Sequence, residues 1–316
     1  MRHLFVLDPL DLLVPDADTS IAFLREAQRR GHSSSACRVE SLGLDVGGRP
    51  RATAVELTVR EGSDWYTAGP SAHVHLDAFD VVWMRKDPPF DLNYLYATHI
   101  LSLVEPRTLV VNEPQALRDA NEKIFALHFP QVSPETIVSR SIPELLAFRA
   151  HLGGDMVVKP LDGAGGEGVF HITPEDRNAK AILEISTRHG ARYLMAQRFI
   201  PEVRQGDKRI ILVEGEPAGA VLRVPAAGEA RANFHVGGTA AQTELTARDR
   251  EICAAVGPTL RERGILFAGI DVIGHWLTEV NVTSPTGIRE IYRLDGTVIE
   301  GLVLDAVETR LAERRG

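Results

Sequence analysis

The sequence predicts a multidomain chain of mixed α/β and α+β class, opening with a doubly wound parallel sheet and continuing into two smaller units. Three observations predict it. Short apolar runs alternate with helical patterns over roughly the first third of the chain, which is the pattern of β-α units packed into a parallel sheet. After about residue 121 the rhythm changes to strands and helices grouped around a glycine-rich loop and then around hairpins. The length of 316 residues also exceeds what one core usually serves, so several compact units sharing clefts are expected.

The first strand covers 4–7 and leads through a loop into a helix near 20–30, with Thr19 or Ser20 as its cap and Gly31 as its stop. Strand-like sequence recurs over 52–59. A buried strand over 79–84 runs into Arg85-Lys86-Asp87-Pro88-Pro89, where the rigid prolines predict a loop at the strand's C-terminal end. A helix over about 93–104 and an apolar strand over 108–111 complete a first domain, residues 1–121. The central unit, 122–200, carries a strand over 136–139, a helix over 142–151, a strand over 156–159, the glycine-rich loop and a strand over 169–172, and reads as a small α+β lid. A helix over 174–188 and a strand over 193–199 follow. The last unit, 201–316, holds a hairpin over 209–224, a helix around 247–263, strands over 265–273 and 276–282, and a closing helix over about 298–313.

Hydrophobic residues make up 44% and charged residues 25%, which excludes collagen-like, disordered and disulfide-scaffold classes. The net charge of -8 and the dispersal of basic residues argue against nucleic-acid or anionic-membrane surfaces. The opening MRHLFVLDPL is too short an apolar run for a signal peptide, and no stretch is long enough to cross a bilayer. A cytoplasmic protein is expected, with Cys37 and Cys253 as reduced structural thiols. Asp8 and the histidines, His3, His73 and His75 among them, show no ligand or triad spacing and are read as structural.

Chemistry concentrates in a few segments. In Lys159-Pro160-Leu161-Asp162-Gly163-Ala164-Gly165-Gly166-Glu167-Gly168-Val169, four glycines follow a strand that ends in lysine. Backbone N–H groups there can close on phosphate oxygens without Cβ interference. The spacing does not fit G-x-x-x-x-G-K-[ST]. The loop reads either as a flexible hairpin connection or as a phosphate cradle, and Lys159 favours the second. Glu279 and Asn281 share one strand face between apolar neighbours, where an unpaired carboxylate is costly. Mg²⁺, which takes one or two carboxylates plus substrate phosphates, resolves that cost. For Asp271 to join them, the turn at Gly274-His275 must carry an odd count or a bulge, because a plain two-residue hairpin sets Asp271 opposite Thr278. The competing reading is the solvated face of an edge hairpin. Lys123, Lys159, Lys208 and Arg209 are each ordinary surface charges when taken singly; beside an oxygen-rich strand they suit a triphosphate. The strand Met195-Ala196-Gln197-Arg198-Phe199-Ile200 reads as core or as a seat for an adenine base. The small-residue loop over 225–238 reads as a linker or as a lid that excludes water from a reactive intermediate.

Four further segments extend this pattern: Arg85-Lys86-Asp87-Pro88-Pro89-Phe90; Asn112-Glu113-Pro114-Gln115-Ala116-Leu117-Arg118-Asp119 with Asn121-Glu122-Lys123; Gly206-Asp207-Lys208-Arg209; and Leu277-Thr278-Glu279-Val280-Asn281-Val282-Thr283-Ser284-Pro285-Thr286-Gly287-Ile288-Arg289-Glu290. With the glycine loop they resemble the bacterial-type glutathione synthetases of the ATP-grasp superfamily over almost the whole chain. The resemblance implies an ATP-grasp fold behind a doubly wound pre-ATP-grasp domain. It implies ATP as co-substrate, held by Lys123 and Lys159, by Gly163, Gly165, Gly166 and Gly168, by Gln197, Phe199 and Ile200, and by Asp207 and Lys208. It implies Mg²⁺ or Mn²⁺ on Glu279 and Asn281 with Asp271 assisting, substrate contacts from Arg85, Ser284 and Arg289, and catalytic roles for Arg209, Arg231 and Asn233. The implied reaction joins glycine to γ-glutamylcysteine through an acyl phosphate, giving glutathione, ADP and phosphate, in a homotetramer without nucleic-acid or membrane partners. Ala164, where methionine is expected, and Gly287, where cysteine is usual, depart from the family pattern and bear on substrate preference rather than mechanism. Two other readings share the fold: a ligase for another dipeptide or amino-acid acceptor pair, against which the 85–90 segment argues, and a non-catalytic ATP-binding regulator, against which the complete set of charged groups argues.

Overall fold

A computed structural model describes residues 1–163, 165–226 and 237–315. The chain builds three sheets in sequence order. The first contains β1 (Arg2–Leu7), β2 (Ser33–Arg38), β3 (Gly43–Leu44), β4 (Pro50–Val59), β5 (Tyr66–His75), β6 (Val81–Met84) and β7 (Leu109–Val111), with helices α1 (Thr19–Arg29), α2 (Leu92–Leu101) and α3 (Pro114–Asp119). Its order is β3-β4-β2-β1-β6-β7, with β5 on β4. The four strands β2, β1, β6 and β7 run parallel, whereas β3, β4 and β5 add antiparallel pairs at one edge. Alternation along β1 sends Leu4 and Val6 to the side covered by α2 and α3, and Phe5 and Leu7 to the side covered by α1. Helices thus cover both faces, as the doubly wound reading requires.

The second sheet holds β8 (Thr136–Ser139), β9 (Met156–Pro160), β10 (Phe170–Ile172) and β11 (Leu194–Arg198) in the order β10-β9-β11-β8, backed by α4 (Ile142–His151) and α5 (Ala179–Ser186). The third contains β12 (Asp207–Val213), β13 (Glu216–Val224), β14 (Thr239–Ala241), β15 (Phe267–Ile273) and β16 (Trp276–Asn281), with α6 (Ala247–Glu262), α7 (Ile288–Asp295) and α8 (Ile299–Arg315).

The second sheet encloses its own apolar cluster around Leu145, Met156, Val158 and Leu194. The first and third share both of the larger clusters, with Leu4 and Val82 packed in the one that holds Ile210 and Ile270. Buried Asn112 completes this union: its side chain donates to the carbonyls of Phe267 and Val282, 2.8 Å each, and accepts from the Phe267 N–H. The 136–198 unit is therefore a cap carried by a two-sheet body.

Several expectations shift. Asp18, not Thr19 or Ser20, caps α1 by accepting from the Ser20 and Ile21 N–H groups. The helix expected over 174–188 shrinks to α5, because Asp176 turns the chain by accepting from the Asn178 N–H. The serine-rich β2 and the exposed β5, α3 and α7 were not foreseen.

Candidate active site

Three antiparallel neighbours form the floor of the main cleft. The register sets Arg209 opposite Asp271 on β12 and β15, and Asp271 opposite Glu279 on β15 and β16, with Asn281 opposite Gly269. A bulge beyond Asp271 brings this about: Ile273 pairs with Trp276 and Val272 with Leu277, and the slip passes over Thr278 so that Asp271 meets Glu279. One row across the sheet thus carries a guanidinium and two carboxylates. The neighbouring β13 sets Arg223 opposite Asp207.

This floor is a network of buried charge. Arg209 grips Asp271 with two bonds, Nε to Oδ1 at 2.5 Å and Nη2 to Oδ2 at 3.0 Å. Arg223 Nη2 reaches Asp207 Oδ2 at 2.6 Å and Asp271 Oδ2 at 3.0 Å, and Asn281 Nδ2 donates to the same Asp271 oxygen at 3.2 Å. Burial alone would raise the Asp271 carboxyl, but Arg209 and Arg223 outweigh it and hold the group well below the usual carboxylate range. At Asp207 burial prevails over Arg223, and the neighbouring Asp271 adds to it, so the carboxyl is pushed up to about 6. Among the described residues its buried Oδ1 has no partner, and it belongs to a group lining the cleft.

Above the floor, Lys123 and Lys159 each approach Glu279 Oε1 to 3.8 Å, both almost wholly buried. Lys123 Nζ also donates to the Gly163 carbonyl at 2.6 Å, tying the glycine loop to the body. The cleft of about 840 Å³ is lined by these lysines, by Gly163, Gly165 and Gly166, and by Gln197, Phe199 and Ile200. Gly168 stands behind the loop. It has φ +69°, and a Cβ there would lie 2.7 Å from Pro160 Cγ, so glycine is needed for the loop's shape.

Five sequence-based assignments change or fall outside. Lys208, expected at ATP, points to the other face because strand neighbours alternate, and pairs with Asp249 at the start of α6. Arg85, expected at substrate, is 4% exposed: its Nη2 donates to the Pro285 carbonyl and its plane lies by Phe23 and Phe267, so it fastens the first sheet to the 284–286 segment. Its neighbours Asp87, Pro88 and Pro89 line the cleft instead. Arg289, also expected at substrate, turns to Glu300 at 3.6 Å and to the Tyr292 ring, away from the lining. Arg231 and Asn233 lie outside the described residues. Ser284 lines the cleft as expected.

The sequence reading passed over Arg223, Glu122 and His171. Counting back from the Glu214-Gly215 turn sets Asp207 opposite Leu222; only the register shift between Ile211 and Leu212 makes Arg223 its neighbour. Glu122 is half-buried, and its Oε1 accepts from the Val282 and Thr283 N–H groups and the Thr283 hydroxyl; loss of solvent around the carboxyl raises it above the usual range despite these bonds. It fixes the segment just after Asn281.

Residues 122–296 match the family model described as the prokaryotic glutathione synthetase ATP-grasp domain, and residues 1–118 match that of the prokaryotic glutathione synthetase N-terminal domain. The chain belongs to the prokaryotic glutathione synthetase family. Glutathione synthetases of Gloeobacter violaceus and Bradyrhizobium diazoefficiens are each 49% identical to it, covering 96% and 97% of this chain and 96% and 98% of their own length. Among solved structures, a D-cycloserine synthetase aligns over 98% of this chain and 100% of its own, with a TM-score of 0.67 and 14% identity, and shares the fold. A RimK domain ATP-grasp protein from Sphaerobacter thermophilus aligns over 97% of this chain and 99% of its own, with a TM-score of 0.62 and 19% identity.

As a glutathione synthetase family member the chain is an ATP-dependent, ADP-forming ligase that works with a divalent metal. The donors present fit that chemistry. Among the described residues no three His, Cys, Asp or Glu side chains converge as a ready metal cage. A carboxylate and an amide facing two lysines are what a metal shared with phosphate oxygens needs.

Proposed function

We propose that the chain ligates glycine to γ-glutamylcysteine, forming glutathione, ADP and phosphate. The observation that carries this reading is the convergence of Lys123, Lys159, Arg209, Glu279 and Asn281 under the glycine loop, in a chain 49% identical to glutathione synthetases over nearly its whole length. A carboxylate oxygen of the dipeptide attacks the γ-phosphorus, ADP departs, and the glycine amine displaces phosphate from the acyl carbon. No bond to the protein forms. Lys123, Lys159 and Arg209 neutralise charge as it gathers on the transferring group, the glycine loop shuts out water, and the clamped Asp271 keeps Arg209 aimed. Glu279 and Asn281 would hold the divalent metal, which would supply positive charge to the phosphates; their oxygen donors favour Mg²⁺, with Mn²⁺ as a substitute.

The cleft divides accordingly. Val157, Gln197, Phe199 and Ile200 seat the base, Gly163, Gly165 and Gly166 the phosphates, and Asp87, Pro88, Pro89 and Ser284 the dipeptide. Residues 1–121, 122–200 and 201–316 serve as substrate-binding, lid and catalytic units. Family resemblance supports a homotetramer. No helix of the described residues is long and apolar enough to cross a membrane, and two buried unpaired cysteines suit a reducing cytoplasm.

Oxygen-18 tests the route. Dipeptide labelled in its C-terminal carboxylate transfers one labelled oxygen to inorganic phosphate by this mechanism. Label appearing in AMP, or remaining wholly in the peptide, would contradict it.

A further inference from the structure

His171 is absorbed by none of the roles above, yet it sits on the cleft wall. It lies on β10 opposite Val157 of β9, and Val157 lies opposite Gln197 of β11, so these three form a row across the lid sheet. All three line the cleft. The imidazole stacks face to face on Phe199, ring centres 3.7 Å apart and planes 13° from parallel. Phe199 follows β11, while His171 comes from the strand after the glycine loop, so the contact joins the two chain segments that bracket the base end of the cleft.

A second contact fixes the ring. His171 Nε2 bonds to Asp155 Oδ1 at 2.6 Å. Asp155 directly precedes β9, so the imidazole is held at its edge by one strand and across its face by the segment after another. The side chain is 22% exposed and lines the cleft, so the ring faces the ligand space. A rigid two-ring plate of this kind presents a π surface to a planar ligand, an interaction that gains from stacking and is tolerant of which base is offered.

We propose that His171 is a positioning residue for the nucleotide base: held by Asp155, it fixes the Phe199 ring as one wall of the base subsite. The proposal rests on reading that end of the cleft as the nucleotide's. Removing the imidazole frees Phe199 and weakens nucleotide binding about tenfold, with little effect on the chemical step at the far end of the cleft. Because a stacking plate reads no base edge, ATP and GTP weaken alike.

The test compares the full-length wild type with His171→Ala, His171→Phe and Asp155→Ala. Titration calorimetry with a non-hydrolysable ATP analogue and Mg²⁺ is paired with steady-state kinetics. The proposal expects about a tenfold rise in Kd and in the KM for ATP for His171→Ala with kcat nearly unchanged, and an intermediate loss both in His171→Phe, which keeps the stack without the Asp155 bond, and in Asp155→Ala. Unchanged nucleotide affinity in His171→Ala would overturn it. So would a fall in kcat alone, a shifted ATP-to-GTP ratio, or a loss in His171→Phe as large as that in His171→Ala. A wild type that binds no nucleotide would instead sink the ligase reading, and this inference with it. Circular dichroism shows whether His171→Ala folds, and if it does not, Asp155→Ala decides by the same affinity criterion.

Discussion

At the scale of single residues, the charges in the floor separate into those that fold the protein and those that act. Arg223 is shared by Asp207 and Asp271 in a buried network, so Arg223→Leu strands carboxylates out of water. Removing one partner of such a pair costs about 3–5 kcal/mol, read as a lower urea midpoint. Glu279 is partly exposed and faces two lysines, so Glu279→Gln leaves stability within about 1 kcal/mol of wild type. Turnover should nevertheless fall at least about 100-fold, since on the proposed reading Glu279 is the metal's carboxylate. Equal damage by Glu279→Gln to stability and turnover would contradict this division. His3 belongs to the folding class. Its Nδ1 accepts from Trp83 Nε1 at 3.0 Å, and burial, aided by His32, pushes its pKa down to about 3. The unfolded histidine takes up a proton near pH 6.5 and the folded one does not, so its contribution is full above pH 6.5 and declines as pH falls toward 3. Urea midpoints should drop on going from pH 7 to pH 5, and less steeply in His3→Asn, which keeps an acceptor for Trp83. Identical slopes would show that His3 is not the group responsible. That Glu279, Asn281, Lys123 and Lys159 meet in one cleft was legible in the sequence because each stands beside a motif. Arg223 was not, because only strand register makes it a neighbour of Asp207.

At the scale of elements, alternation and glycine geometry decide more than composition. The strands over 136–139, 156–159 and 276–282 were readable from apolar patterning, whereas β2, with its Ser33-Ser34-Ser35 start, carries no such pattern and is a strand because β1 and β4 flank it. The same alternation that places Asp207 and Arg209 in the cleft removes Lys208 from it, a distinction that sequence adjacency hides. The bulge after Asp271 was required by the metal reading but could not be located without the register. Close approaches of backbone are invisible in sequence as well. In α6, a Cβ on Gly257 would lie 2.2 Å from the Gly215 carbonyl oxygen at the β12–β13 turn. Helix propensity alone favours Gly257→Ala by about 1 kcal/mol, but the clash is with backbone and overpacking costs about 1–3 kcal/mol. A lowered urea midpoint is expected. A raised one would mean that helix and turn separate easily.

At the scale of the whole molecule, the first and third sheets share a core and the second carries its own, so the cleft lies between a body and a cap. Most of this architecture followed from the order of strand and helix patterns; the shared core did not, because Asn112 and the apolar faces it joins lie some 155 residues from their partners. On the proposed reading Mg-ATP would bridge cap and body, and it should raise the melting temperature in proportion to the logarithm of its concentration, by about 2.7 kcal/mol of stability at 100 times its Kd. A melting temperature indifferent to Mg-ATP would place the nucleotide elsewhere. The most direct measurement is ADP release by the purified protein with Mg-ATP, γ-glutamylcysteine and glycine, each omitted in turn, with the product weighed by mass spectrometry. ADP and glutathione formed in equal amounts, and only in the complete mixture, are the predicted result. Nucleotide bound without ADP release, or ADP released with a product of another mass, would contradict the assignment.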